Sequence, residues 1–285
     1  MDLFSTIYLA LYAITLLILI SLGLAVIFGM MRVINLAHGE FMMLGAYACV
    51  FATQAGMPLW LAVLAAALAL GALGVLVERL VIRFLYGRII DTLLATWGLS
   101  LLLVGGVTTL LGPQARSIPT NFGNAVIGGI NVSTYNLALI AVTAALVMLT
   151  WLLARFTPFG LMVRGAMQDP VVAEALGVNT NSVYMATFGY GAALAGFAGA
   201  VLVPITGASP TMGLFFVARS FITVIVGGHF PLLGTLSASG LFGAIDGVVS
   251  YRRSSVLGEI CVLIVAVVLL RVLPSGITGR LRRGL

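Results

Sequence analysis

The sequence predicts an all-α, polytopic membrane helix bundle with about eight to nine transmembrane or re-entrant helices. Of the 285 residues, 61% are hydrophobic and only 8% are charged. The apolar runs repeatedly reach the roughly 20 residues that are needed to cross a bilayer. The polar intervals between them are too short to fold separately, so we expect a single transmembrane domain over residues 1–285, with the lipid bilayer as its first partner.

Nine apolar segments make up the predicted bundle. Residues 4–28 lack the basic region and cleavage site of a signal peptide, so we expect them to remain as the first span. The second and seventh segments, residues 41–53 and 214–226, are short enough to be broken or re-entrant helices. The other six segments are residues 59–77, 92–111, 135–154, 183–205, 232–250 and 257–273.

Small residues recur at four-residue spacing in two of these segments. One stripe is Ala192, Gly196 and Ala200, and the other is Ser239, Gly243 and Gly247. Such stripes let helix backbones approach closely inside a membrane. We therefore expect both stripes to be packing faces.

The positions of the arginines predict the orientation of the chain. All 14 basic residues are arginines, and cytoplasmic loops carry an excess of them. With an external N-terminus and nine crossings, only Arg116, Arg252 and Arg253 lie outside. The cytoplasmic set is Arg32, Arg79, Arg83, Arg88, Arg155, Arg164, Arg271, Arg280, Arg282 and Arg283. We expect a multi-pass plasma (inner) membrane protein with a cytoplasmic C-terminus and an external loop at residues 113–133.

The same residue counts argue against several classes of function. The arginines lie at the ends of apolar runs and not in a basic patch, so nucleic acid is not an expected partner. Without lysine the chain has no phosphate-binding P-loop, and Cys49 and Cys261 lack the spacing of a disulfide or metal site. We therefore expect no catalytic residues, no metal and no cofactor bound by this chain, with ATP hydrolysed by partner subunits.

Residues 155–182 form the longest polar interval, hereafter the 155–182 segment. Asp169 is a helix N-cap residue and Pro170 suits the first helical position, so we expect a short helix over residues 171–176 that stops at Gly177. A helix of two turns needs the flanking spans or a partner protein to hold it. From spacing alone, the segment is either an ordinary loop or a docking element.

Polar and glycine residues interrupt the apolar pattern at two places. Asn35, His38, Gly39 and Glu40 lie between the first and second segments. Ionisable residues at membrane depth usually face a cavity or a partner. These side chains therefore either line a path through the membrane or cap and lock a broken helix, whose freed backbone groups need partners.

The second interruption is the sequence V-G-G-H-F-P-L-L-G, which contains Gly227, Gly228 and His229. Paired breaks in the two halves of a chain are typical of transporters built from discontinuous helices. We therefore treat these three residues, together with the first interruption, as candidates for the translocation path or for helix breaks.

Several stretches of the chain resemble permease subunits of ATP-binding-cassette importers of the branched-chain amino acid and urea family. Residues 34–47 match the family form I-N-x-A-H-G-E-x-x-M-x-G-A-Y, and residues 274–280 match its closing P-x-G-x-x-G-R. The chain departs from the family's G-G-x-G-S-x-x-G by carrying Phe230 and Pro231. Residues 78–100 contain L-Y-G-R and L-A-T-W-G and look most like the urea and short-chain amide branch.

The resemblance implies a subunit that moves urea, a short-chain amide or a branched-chain amino acid inward by alternating access. Its implied partners are a second homologous permease subunit, two cytoplasmic ATP-binding subunits and an external substrate-binding protein. The ATPases would act on the 155–182 segment, where the residues matching the family's coupling pattern include Arg164, Asp169, Ala173, Leu176 and Gly177.

Two other classes of protein remain open: a secondary transporter that works without ATP, and a passive urea-type channel. A secondary transporter needs acidic or histidine relays in mid-span, whereas most charges here lie at span ends. A channel has no use for a docking helix.

Overall fold

A computed structural model describes residues 2–119, 122–127, 130–228 and 230–279 and confirms the all-α bundle. The described residues form eleven α-helices and one two-stranded hairpin. In chain order these are α1 (Asp2–Met31), α2 (His38–Gln54), α3 (Leu59–Leu80), α4 (Ile89–Leu111), β1 (Asn124–Ile127), β2 (Ile130–Ser133), α5 (Thr134–Phe156), α6 (Pro158–Gln168), α7 (Pro170–Ala175), α8 (Thr180–Thr206), α9 (Met212–Gly227), α10 (Pro231–Arg252) and α11 (Ser255–Val272).

Each of the nine predicted segments coincides with a helix. Within the described residues, seven helices are long and apolar enough to cross a membrane: α1, α3, α4, α5, α8, α10 and α11. The helices α2 and α9 have 17 and 16 residues and are the two segments that the sequence predicts to be short. Most of the observed helix ends lie a few residues beyond the predicted limits, and α11 ends one residue before its predicted limit, since helix boundaries are the least well determined part of a helix.

The structure contains an α-helix, a short 3₁₀ helix (Ile82–Leu85) and a hairpin that were not predicted from the sequence. Helix α6 lies in the 155–182 segment, where only α7 was expected, and its N-cap is Thr157, whose hydroxyl accepts from the amide of Gly160 at 3.1 Å. Its apolar face packs Val163 and Ala166 against Val183 of α8. The predicted loop at residues 113–133 contains the antiparallel strands β1 and β2.

The described chain forms two compact units. One comprises the chain up to Ser21, Thr120–Leu149 and the part from Arg219 onward, and the other comprises Leu22–Pro119 and Thr150–Ala218. The single transmembrane domain expected over residues 1–285 stays a prediction.

Both small-residue stripes are packing faces, as predicted. In the second unit, a Cβ added to Gly196 on α8 would lie 2.5 Å from Leu70 of α3, and one added to Gly45 would meet the backbone of Gly196. In the first unit, Gly243 and Gly247 on α10 bring that helix against the backbone of α1. The absence of side chains at these positions allows the close contact.

Candidate functional site

The first break is the stretch from Arg32 to Ala37, between α1 and α2. Arg32 has a φ of 54°, which ends α1. The Asn35 side chain accepts from the amide of Ala37 at 3.1 Å, and the Asn35 carbonyl accepts from the amide of His38 at 3.2 Å. Asn35 therefore forms a side-chain turn that leads the chain into α2.

A threonine from another helix closes the first break. The Thr96 hydroxyl of α4 accepts from the amide of Leu36 at 3.1 Å and lies 3.1 Å from the carbonyl of Ile34. The carbonyl of Thr92, at 2.9 Å, competes for the single hydroxyl proton. Thr96 is thus a hydrogen-bond partner for backbone groups at Ile34 and Leu36, which lipid could not satisfy.

The candidate residues at the first break are enclosed, and His38, Gly39 and Glu40 lie in the first turn of α2 and not in the break itself. Asn35, His38 and Glu40 are all 0% exposed. An added Cβ on Gly39 would collide with the backbone of Gly213 on α9. In this conformation the four candidate residues lie side by side within the second unit, with none of the three polar side chains reaching its surface.

The Glu40 carboxyl is the most unusual group of the first break. The Ser100 hydroxyl of α4 approaches it, but no described residue donates to either carboxyl oxygen in hydrogen-bond geometry. Buried polar groups normally have a partner. A fully buried carboxyl in the first turn of α2, directly after a break between membrane helices, marks Glu40 as a candidate functional residue.

The second break is the connection between α9 and α10. Gly228 has a φ of 88°, and a Cβ added there would lie 2.6 Å from the carbonyl of Ser275. Pro231 occupies the first turn of α10, a position that proline favours. The proline that replaces a residue of the family's glycine-serine pattern is therefore the first residue of a helix. The predicted candidate His229 lies outside the described residues.

A threonine also closes the second break. The Thr278 hydroxyl donates to the carbonyl of Gly227 at 2.6 Å and accepts from the amide of Phe230 at 3.2 Å. Thr278 lies inside the closing stretch P-S-G-I-T-G-R. Sequence reasoning singled out the glycines of that stretch but not the threonine, because its role depends on a contact with residues about 50 positions earlier.

In the 155–182 segment, the predicted short helix is confirmed as α7. The Asp169 carboxylate accepts from the amides of Val171 at 2.9 Å and Val172 at 3.1 Å, and Gly177 has a φ of 86°. The helix ends at Ala175, one residue before the predicted end, because Leu176 already serves as its C-cap. Local cap chemistry therefore determines α7.

The five coupling candidates divide into buried and exposed positions. Ala173 is 5% exposed, and the Arg164 guanidinium donates to the carbonyl of Ala154 at the end of α5, so both hold the segment in place. Leu176, in contrast, is 79% exposed. It forms the coupling patch together with Val171 and Val172, which are also exposed.

The structure brings together three charged residues that sequence reasoning did not combine. Arg219 of α9 pairs with Glu259 of α11, with an Nη2 to Oε1 distance of 2.9 Å. Asp246 of α10, which accepts from the Ser250 hydroxyl at 3.0 Å, lines the same small cavity. Arg219, a charged residue in the middle of the short apolar segment 214–226, could have identified this cluster from the sequence.

Comparisons with known proteins agree with this architecture. Residues 6–273 match a family described as branched-chain amino acid transport system / permease component. No solved structure gives a significant match.

Three curated relatives are similar to most of the chain. The high-affinity branched-chain amino acid transport system permease protein LivH of Escherichia coli K12 is 28% identical, over 92% of this chain and 91% of the relative. BraD of Pseudomonas aeruginosa, which carries the same description, is 30% identical over the same shares. A probable LivH of Methanocaldococcus jannaschii is 24% identical, over 93% of this chain and 89% of the relative. The chain is therefore a multi-pass membrane protein that belongs to the permease component family of branched-chain amino acid transport systems.

Proposed function

We propose that this chain is one membrane subunit of an ATP-binding-cassette importer that moves branched-chain amino acids into the cytoplasm by alternating access. The observation that carries the proposal is the family match over residues 6–273, which spans both breaks and the 155–182 segment. The full importer would contain a second permease subunit, two cytoplasmic ATP-binding subunits and an external substrate-binding protein.

The coupling patch is the proposed contact with an ATPase. Val171 and Val172 of the six-residue helix α7, together with its C-cap residue Leu176, expose apolar side chains. A hydrophobic groove on a partner would cover such a surface. The ATPase would bind the patch differently in the outward-open and inward-open states. That difference in binding free energy would drive the conformational change.

The chain itself would hydrolyse no ATP and bind no cofactor. Its sequence has no lysine, which the P-loop of ATP-hydrolysing subunits requires. In the proposed orientation the N-terminus is external, and the C-terminus and the 155–182 segment are in the cytoplasm, where the ATPases are.

The two breaks are the proposed boundaries of the translocation path. Glu40 supports this for the first break, because its buried carboxyl has no donor in good hydrogen-bond geometry among the described residues. At the second break, Gly227 and Gly228 approach other backbone segments closely. In this role Asn35 and Gly39 shape the break, while His38, Glu40 and His229 supply side chains that can respond to the solute.

A second candidate solute is urea or a short-chain amide. The stretches L-Y-G-R and L-A-T-W-G within residues 78–100 favour it. Thr96 of the second stretch closes the first break, whereas Trp97 beside it is 53% exposed. Secondary transport and passive conduction are the competing classes of mechanism.

Uptake measurements in cells test the proposal. The chain is expressed with its partner permease, ATPases and binding protein in a host that lacks branched-chain amino acid uptake, and radiolabelled leucine and urea are supplied in parallel. We expect leucine uptake that disappears when the ATPases are omitted. Urea uptake without leucine uptake would favour the second candidate, and uptake that persists without ATPases would exclude an ATP-driven importer.

A further inference from the structure

Charges inside the membrane helices are concentrated in one place. Among the described membrane helices, including α2 and α9, the charged side chains that lie more than one turn from a helix end are Arg219, Asp246 and Glu259. All three line one cavity of about 40 Å³, a volume that holds about two or three water molecules. Such charges are costly in hydrocarbon and usually mark a solute or ion path.

The Arg219–Glu259 ion pair is partly exposed at the surface of the described chain. The side chains of Arg219 and Glu259 are 45% and 51% exposed. Both donors that Arg219 directs at Glu259, Nε and Nη2, go to the same oxygen, Oε1. A pair that served only to join α9 to α11 would be expected to engage both carboxylate oxygens in a fork.

The approach of Asp246 to this pair depends on a missing side chain. A Cβ added to Gly258, next to Glu259, would lie 2.5 Å from Asp246 Oδ1. Glycine therefore lets Asp246 of α10 pack against α11 at the residue before Glu259, and both carboxylates line the same cavity. The cluster has one cation and two carboxylates, so it offers one acid more than the arginine needs.

This arrangement complements an α-amino acid. The guanidinium of Arg219 suits the planar carboxylate of the solute, and the carboxylates of Glu259 and Asp246 suit its ammonium group, which has three donors. We propose that Arg219, Asp246 and Glu259 form a subsite for the zwitterionic head group of an α-amino acid, an inference that rests on the proposed function. On binding, the solute carboxylate replaces Glu259 on Arg219, and Glu259 turns to the ammonium group.

The surroundings suit the rest of the solute. The apolar side chains of Ile222, Val262 and Leu263 line the same cavity. Because the cavity is too small for a leucine side chain, the solute lies across its exposed mouth, with the head group on the charges and the aliphatic side chain along α9 and α11. A neutral amide carries neither charge, so it can form hydrogen bonds with these groups but no ion pair with either of them.

Leucine uptake by the complete importer tests the subsite. Arg219→Gln/Glu259→Gln removes both charges, a change that costs little stability if the pair is only structural, because exposed ion pairs contribute little. The matched control is Arg88→Gln/Asp91→Asn, which removes the ion pair between Arg88 and Asp91 at 2.6 Å. Assembly is followed by co-purification with the ATPases.

We expect the first double variant to lose about tenfold or more in leucine uptake at low leucine concentration, as for the loss of a charge-assisted contact with the solute. The control should import leucine like the unmodified chain. Normal leucine uptake by Arg219→Gln/Glu259→Gln would overturn the subsite. If that variant does not assemble, Asp246→Asn decides: a KM for leucine raised several-fold supports the subsite, and an unchanged KM overturns it.

The failure of the subsite and that of the proposed function are distinguishable. If the unmodified chain does not import leucine, the proposed function itself is wrong. If the unmodified chain imports leucine and the uncharged variants do so equally well, only the subsite is wrong.

Discussion

The two breaks are closed by the same device but contain different chemistry. In each, a threonine hydroxyl from a distant part of the chain bonds to backbone groups of the break: Thr96 at the first and Thr278 at the second. The first break buries Asn35, His38 and Glu40. The described part of the second break is held by backbone contact, with Gly228 against Ser275 and Gly276.

The difference between the two breaks distinguishes the pairing of free backbone groups from any further role of polar side chains. Backbone groups freed by a break must find partners, because lipid offers none, and a single threonine does this at both places. In the described part of the second break, Thr278 and close backbone contacts accomplish this task. The polar residues of the first break are therefore candidates for function, and the second break is expected to be sensitive to shape.

The largest effect on stability is expected from Gly228→Ala. The residue combines a φ of 88° with a carbonyl 2.6 Å from the added Cβ, so backbone strain and overpacking add to about 3 kcal/mol or more. Gly56→Ala is the matched control, because Gly56 has a φ of 91° but no atom within 4 Å of an added Cβ. It should cost only about 1 kcal/mol.

Thermal unfolding of the purified importer measures both glycine variants. The expected order is a large fall in unfolding temperature for Gly228→Ala and a small fall for Gly56→Ala. Equal falls would mean that positive φ alone matters at the second break and that the close backbone contact does not.

A smaller effect is expected from removing the threonine hydroxyls. Thr278→Val leaves the Gly227 carbonyl and the Phe230 amide without their partner, at a cost of about 2 kcal/mol. Thr96→Val should cost less, because the Thr96 hydroxyl proton is shared among carbonyls that include its own helix. Thermal unfolding of both variants checks the order, and a larger loss for Thr96→Val would reverse the comparison.

Glu40→Gln tests the chemistry of the first break directly. The change keeps the shape but removes a carboxyl that has no donor, so the free energy of unfolding should change by less than about 1 kcal/mol. We expect leucine uptake to fall although the importer assembles. Normal uptake by a correctly assembled variant would leave Glu40 as part of the scaffold.

The smallest effect on stability is expected outside both breaks, at Leu176→Asp. The side chain is 79% exposed, so unfolding should change by about 0.5 kcal/mol or less. Leucine uptake should nevertheless be lost, because a charge on the coupling patch opposes docking in an apolar groove. ATPase co-purification and uptake are measured together, and full uptake would remove the patch from coupling.

The fold was predictable wherever short stretches of sequence determine it. Membrane-length apolar runs gave the nine segments, and Asp169 with Pro170 gave α7, because a cap and its helix are neighbours in the chain. Thr157 with Pro158 carries the same signal for α6, which sequence reasoning overlooked. The local pattern could also identify Asn35, His38 and Glu40 as unusual.

The contacts of the candidate sites were not predictable in this way. Thr96 and Thr278 act on residues about 50 to 60 positions away, and neither threonine has a distinguishing pattern in the sequence around it. Arg219 and Glu259 lie on different helices, 40 residues apart. Only the packing of the helices brings such residues together.

Transport by the purified importer in proteoliposomes shows whether ATP powers it. Radiolabelled leucine and the binding protein are placed outside, and ATP is either enclosed or omitted. We expect accumulation of leucine above its external concentration only with ATP inside and with both ATPase subunits present. Equilibration at the same rate without ATP, or accumulation driven by an ion gradient alone, would contradict an ATP-powered importer.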